Sequence, residues 1–118
     1  MSVDEILGQP APVGATVYRR GDVVCVGMPL PDLRQWEVHV AAAPHARGRE
    51  AVAAMRSMLT EFWDSHPDVD ELIAVPRAEN RAVRVTNNLI GFALSEKVKV
   101  LWPDGIERET CIYRMPRP

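Results

Sequence analysis

Between Trp36 and Val52 the spacing of apolar side chains changes from two residues to three or four. Trp36, Val38 and Val40 alternate with Glu37, His39 and Ala41, the period of a half-buried strand. Beyond Arg47, the positions Val52, Met55, Leu59, Phe62 and Trp63 recur at helical spacing and leave Arg49, Glu50, Arg56, Thr60 and Glu61 on the far side. A strand therefore runs to Pro44, turns through His45, Ala46, Arg47 and Gly48, and enters a long amphipathic helix. The first amides of a helix lack intrahelical partners and lie at the positive end of its dipole, so this corner is a natural seat for a phosphate.

The same pattern predicts the other elements. Ala15 to Arg19 and Val23 to Met28 read as short strands joined by a tight turn at Arg20-Gly21-Asp22. After a break at His66-Pro67-Asp68, the unalternating run Leu72-Ile73-Ala74-Val75, closed by Pro76, is what a strand covered on both faces looks like. Strand, helix and strand in that order predict a crossover between two parallel strands. Asn80 is a good N-cap, Ala82, Val83, Thr86 and Ile90 mark the expected buried stripe of a second helix, and Gly91 suits its end. Val98, Val100 and Trp102 alternate, Pro103-Asp104-Gly105 turns, and Ile106 to Met115 returns as the second arm of a hairpin. Met1 to Gly14, with Pro10 and Pro12, is expected to be a loose arm or one helical turn laid on the body.

Composition narrows the function classes. The 118 residues suit a single domain spanning 1–118, with 1–14 as its N-terminal arm. With 47% hydrophobic and 25% charged residues the balance is that of an ordinary globular protein. A formal net charge of −2 offers no general basic field to nucleic acid. No segment reaches the length of a membrane span, so membrane partners are not expected and the cytoplasm is the default location. Cys25 and Cys111 are far apart and form no CxxC, which points to buried thiols in a reducing compartment. His45 and His66 flank turns with no third ligand nearby, so no metal is expected.

Three places, in this order, resemble the GNAT N-acetyltransferase superfamily over roughly Val23 to Met115. The turn Pro44-His45-Ala46-Arg47-Gly48 after a central strand is similar to that family's pyrophosphate loop, Q/R-x-x-G-x-G/A, with Arg47 in the leading position. Val75-Pro76 followed by Asn80 is similar to the end of its fifth strand and the asparagine that opens its next helix. The spacing from Asn80 to Gly91-Phe92 matches N-x-x-A-x-x-L-Y-x-x-x-G-F. The resemblance implies an α+β fold: a mixed, mostly antiparallel sheet with one splayed parallel pair, flanked by two main helices.

It also implies acetyl-CoA as co-substrate and a direct attack of an amine, small molecule or protein, on the thioester. The cofactor-binding set would be Val40 and Ala42 by the acyl group, Arg47, Gly48, Arg49, Glu50, Ala51 and Val52 around the pyrophosphate, and Asn80 and Asn87 on the second helix. Two departures bear on activity. Glu50 and Val52 stand where the loop motif has glycines, and a carboxylate there would oppose an anion unless it points away. Asn87 replaces the family's tyrosine and cannot act as a general acid.

Glu37 and His39 share one face of the central strand, about 7 Å apart at the usual rise, and either could take a proton from the attacking amine. Against this stands the plainer expectation that they are simply a strand's polar face. Arg77, Arg81 and Arg84 could reach CoA phosphates or lie on a solvated helix face, and Trp36, Trp63 and Trp102 are expected as core and sheet-edge aromatics. The alternative function is a binding protein of the same fold that has lost catalysis. Short GNAT-like chains resemble ones encoded by tailed bacteriophages, which would make this a virion or head-assembly protein with assembly partners. A homodimer is a further expectation, since the family's acceptor-side helices have no counterpart here.

Overall fold

A computed structural model describes residues 1–32 and 34–118. The chain runs α1 (Val3–Leu7), β1 (Thr16–Arg20), β2 (Val23–Pro29), β3 (Gln35–Ala42), a 3-10 turn (Pro44–Ala46), α2 (Arg49–Ser65), β4 (Glu71–Ala74), α3 (Arg81–Ile90), β5 (Ala93–Leu101) and β6 (Glu107–Pro116). The strands form one sheet in the order β1-β2-β3-β4-β6-β5. All neighbours are antiparallel except β3 and β4, which run parallel on either side of α2 in sequence. This is the mixed, mostly antiparallel α+β sheet that the resemblance implies, with the one parallel pair that the strand-helix-strand order predicts. Among the described residues no helix is long and apolar enough to cross a membrane.

The alternation in β3 sorts its side chains cleanly. Trp36, Val38, Val40 and Ala42 pack into the main core, where α2 contributes Met55, Met58, Leu59, Phe62 and Trp63. Side chains such as Met58 and Phe62, at 0% and 1% exposure, each contribute about 1.5–3 kcal/mol by leaving water. Ala41, on the opposite face, belongs to a smaller cluster in which Ile6 of α1 meets Val24 and Ala43. The N-terminal segment is thus one helical turn laid on the sheet. It is held by a capping box: Glu5 N donates to Ser2 Oγ and Ser2 N donates to Glu5 Oε1.

The parallel pair is clamped at one end and open at the other. Arg34 grips Asp70 with two hydrogen bonds of 2.6 and 3.1 Å, and its carbonyl accepts from Asp70 N at 2.7 Å. Register then holds for Gln35 with Glu71, Trp36 with Leu72 and Glu37 with Ile73, and stops. β3 runs on through Ala42 beside β2 alone, while the chain after β4 stays with β6 through the amide of Cys111 on Pro76 O and a bridge between Arg77 and Thr110. Arg117 closes the other end of α2, donating to the carbonyls of Val69, Trp63 and His66 while its guanidinium lies over Trp63. A cation there also suits the negative end of the helix dipole.

Two expectations need correction. Ala82 is exposed, and the buried face of α3 is made instead by Asn87 and Ile90, with Val83 and Thr86 half-buried. The first turn of α3 borders the opening between the strands, where Asn80, Ala82 and Val83 line the cleft wall. β5 does not bury an apolar face either: at this sheet edge Val98 is half-buried, and Leu94, Val100 and Leu101 are exposed.

Candidate functional site

The gap between β3 and β4 opens into a cleft of about 610 Å³. Its wall includes Val38, Val40, Ala42, Ala51, Val52 and Met55 from the α2 side of the sheet, and His39, Ala41, Ile6, Leu7 and Gln9 from the α1 side. The cleft therefore passes through the sheet from one face to the other. Ala74 and Pro76 line the β4 side, and Asn80, Val83, Thr86 and Asn87 come from α3.

One mouth lies at the start of α2. Gly48 is the N-cap, with φ 112° and ψ −157°, a conformation essentially reserved for glycine. Having no side chain, it leaves the first amides of the helix without a side-chain cap, and the first intrahelical bond on the cap carbonyl is that of Val52 N at 3.1 Å. Arg47 lines the same mouth, with Nε 3.4 Å from Ala42 O. The turn itself is tied down by His45, whose Nε2 lies 2.8 Å from Asp22 Oδ2.

Nine of the twelve residues singled out in the sequence line this one cleft: His39, Val40, Ala42, Arg47, Gly48, Ala51, Val52, Asn80 and Asn87. Arg49 and Glu50 do not line it, and both side chains are exposed. Successive helical side chains turn by about 100°, so with Ala51 and Val52 facing the cleft the preceding pair is carried elsewhere. Glu37 also lies outside the lining, but its Oε1 is 3.9 Å from His39 Nε2. Asn80 Oδ1 accepts from Val83 N at 3.3 Å and so caps α3 while lining the cleft.

Asn87 carries the unusual feature of the wall. It is 2% exposed, and among the described residues its Nδ2 has no hydrogen-bond partner. A buried amide donor without a partner costs free energy that a bound acceptor would recover.

Two further residues of the wall, Arg77 and Trp102, lie together. Trp102 donates from Nε1 to Thr110 Oγ1 at 3.1 Å, and the Arg77 guanidinium lies 4.7 Å over its ring. Both line the cleft, and only the pairing of three separate segments brings them there. Of the other two arginines considered with Arg77, Arg84 turns away, donating to Tyr113 Oη and Ala78 O, and Arg81 shares a shallow depression with it. The Tyr113 hydroxyl beside it raises the pKa of the Arg84 guanidinium.

No protein-family model matches the chain, and no curated protein matches it in sequence. Solved structures do match. A GNAT-family acetyltransferase from Bacillus anthracis superposes with a TM-score of 0.68 at 18% identity, over 80% of this chain and 57% of that one. The ribosomal-protein-alanine N-acetyltransferase of Brucella melitensis gives 0.63 at 22% identity, over 86% and 67%. A Salmonella typhimurium protein described as an acetyltransferase, solved with its cofactor acetyl-CoA, gives 0.60 at 13%, over 80% and 57%. The chain thus spans little more than half the length of two of these neighbours. At such identities the likeness establishes the fold: this is a GNAT-type acyltransferase fold.

The cleft suits the group that this fold holds in the Salmonella neighbour. Amides at the start of α2 are free of side-chain caps, Asn87 Nδ2 is an unspent donor, and no Asp or Glu is among the lining residues to oppose a phosphate. The carboxylate that the motif places in a glycine position, Glu50, is not in the wall.

Proposed function

We propose that the protein is an N-acetyltransferase that moves an acetyl group from acetyl-CoA to an amine. The observation that carries this reading is the through-sheet cleft with the uncapped start of α2 at its mouth. Acetyl-CoA supplies an activated acyl group: the amine nitrogen bonds to the thioester carbonyl carbon as the C–S bond breaks, and the electron pair leaves on sulfur.

The protein's own residues position these partners. The main-chain amides of Arg49, Glu50 and Ala51, with the Arg47 guanidinium, hold the pyrophosphate. Gly48 gives the backbone the turn that aims those amides. The backbone around Val40 and Ala42 borders the acyl group, and Asn80 keeps the start of α3 against the cleft. Asn87 donates from Nδ2 towards the carbonyl or the departing sulfur. Glu37 or His39 takes the amine proton, directly or through water, and that proton ends on the thiolate through solvent.

The test is a calorimetric titration with acetyl-CoA and with free CoA, alongside Arg47→Glu. Saturable micromolar binding that the substitution abolishes is expected. No heat and no thermal shift at millimolar ligand would overturn the reading. A second reading, a binding protein that has lost catalysis, has its own ground in Asn87: the position offers a donor but no acid. It predicts ligand binding without acetylation of any amine.

A further inference from the structure

The two ends of the cleft differ in chemistry, and the difference bears on the acceptor. Strand parity places Cys111 and Tyr113 on the α2 side with the main core, and Thr110 on the other. Arg77 pairs with Thr110, and Trp102 is hydrogen-bonded to it, so both belong to the α1 side together with Glu37, His39 and Ala41. If the phosphates of the donor occupy the α2 mouth, the nucleophile has to approach from this second chamber.

What lines that chamber is a cation on an aromatic plate. The Arg77 guanidinium lies 4.7 Å over Trp102, and the Trp102 ring is itself fixed by its bond to Thr110. The carboxylate paired with Arg77, Glu79, stands 3.9 Å away and is itself 71% exposed, which makes a loose surface pair. Asp104, at the adjoining turn, is engaged by Arg108 at 2.5 Å and by the amide of Ile106 at 3.0 Å. No Asp or Glu lines the cleft, and Glu37 stands just outside it beside His39. A polycationic amine would meet Arg77 with no carboxylate wall to receive it. A planar anion would find a fork of donors already held in place.

We propose that the α1-side chamber recognises an acceptor bearing a carboxylate, which Arg77 grips while Trp102 packs against the acceptor's apolar body. This rests on the acyltransferase reading. Arg77 is a specificity-determining residue here, and the acceptors it favours are amino acids or other amines with a carboxylate near the amino group. A peptide main chain, which has no carboxylate beside its amino terminus, is disfavoured.

The test uses N-acetylphenylalanine and N-acetylphenylalaninamide, product-like probes in which acetylation removes the amine charge, so that only the carboxylate differs. Each is titrated calorimetrically into the protein saturated with free CoA. The carboxylate is expected to bind at least about tenfold more tightly than the amide, as a charge-assisted fork would give. Arg77→Gln erases the difference, Arg77→Lys keeps part of it, and Trp102→Leu weakens both probes alike. Equal binding of the two probes to the unaltered protein, or a preference that survives Arg77→Gln in a variant with an unchanged thermal melt, would overturn the proposal. CoA affinity, measured in every protein, separates the two levels. If CoA fails to bind the unaltered protein, the acyltransferase reading falls and this one with it. If CoA binds and the preference is absent, only the acceptor assignment falls.

Discussion

His45 Nε2 and Asp22 Oδ2 stand 2.8 Å apart and join the turn ahead of α2 to the β1–β2 hairpin. Ala43 N donates to Asp22 O at 2.9 Å, and Arg19 Nη2 reaches Asp22 Oδ1 at 2.8 Å, so one aspartate ties the hairpin to the turn at both its backbone and its side chain. The His45 ring first, and then Arg19, hold the Asp22 carboxyl below its ordinary value. The folded pKa is therefore the lower one. Its stabilisation is complete above the ordinary aspartate range and is lost as pH falls through the folded value. Asp22→Asn should lower Tm near neutral pH, and the gap to the unaltered protein should shrink as pH drops below about 4. Thermal melts across that range check it, and a gap independent of pH would contradict it.

Gly48 sits at φ 112° with open space around the position of a Cβ. The cost of a side chain there is one of backbone conformation, not of collision. Gly48→Ala should destabilise by about 1–3 kcal/mol in urea unfolding. It should also weaken acetyl-CoA binding, since relaxing φ re-aims the first amides of α2. Ala53→Gly, inside the same helix, tests helix stability alone and should leave binding intact.

Asn87 separates folding from ligand binding. Replacing a buried, unpartnered amide with an apolar side chain of similar size removes a desolvation penalty, so Asn87→Leu should leave Tm unchanged or raise it. The same change removes the donor offered to the cleft, and acetyl-CoA affinity should fall roughly tenfold. Paired melting and calorimetry decide the matter. A drop in both would make Asn87 a structural residue.

Both thiols should be silent in the native protein. Burial pushes the Cys25 thiol up to about 12, and Cys111 has no exposed surface. An aromatic disulfide reagent at mildly alkaline pH should release no colour until denaturant is added, and then report both cysteines. Rapid native labelling would show that the sheet opens locally at β2 or β6.

The candidate site was legible in parts. Gly48 and Asn80 could be placed because a helix start constrains the residue that occupies it, and Arg47, Ala51 and Val52 follow from that start. Asn87 was reached through motif spacing, but its orphaned amide was not, because burial on α3 depends on what packs over it. Glu50 looked like an obstacle on the linear motif, and the rotation of the helix takes its side chain out of the wall. In the sequence Arg77 is one of three arginines that could reach a phosphate or lie on a solvated face, and Trp102 is a core or sheet-edge aromatic; nothing local places the two together. Their juxtaposition arises from the pairing of the segment after β4 with β6, and of β6 with β5.

The sequence alone determined the main strands and helices and their order, because period, caps and turns are local and each is written in a few adjacent residues; it left the helical turn of α1 open. It determined that β3 and β4 are parallel, since a helix lies between them, and that the turn into α2 is made by a glycine. Only the tertiary structure decided how far the parallel pairing extends, where the clamp of Arg34 on Asp70 gives way to an opening, and which side chains that opening collects. A cleft is a property of elements that fail to pair. No segment read by itself reports the partner that it lacks.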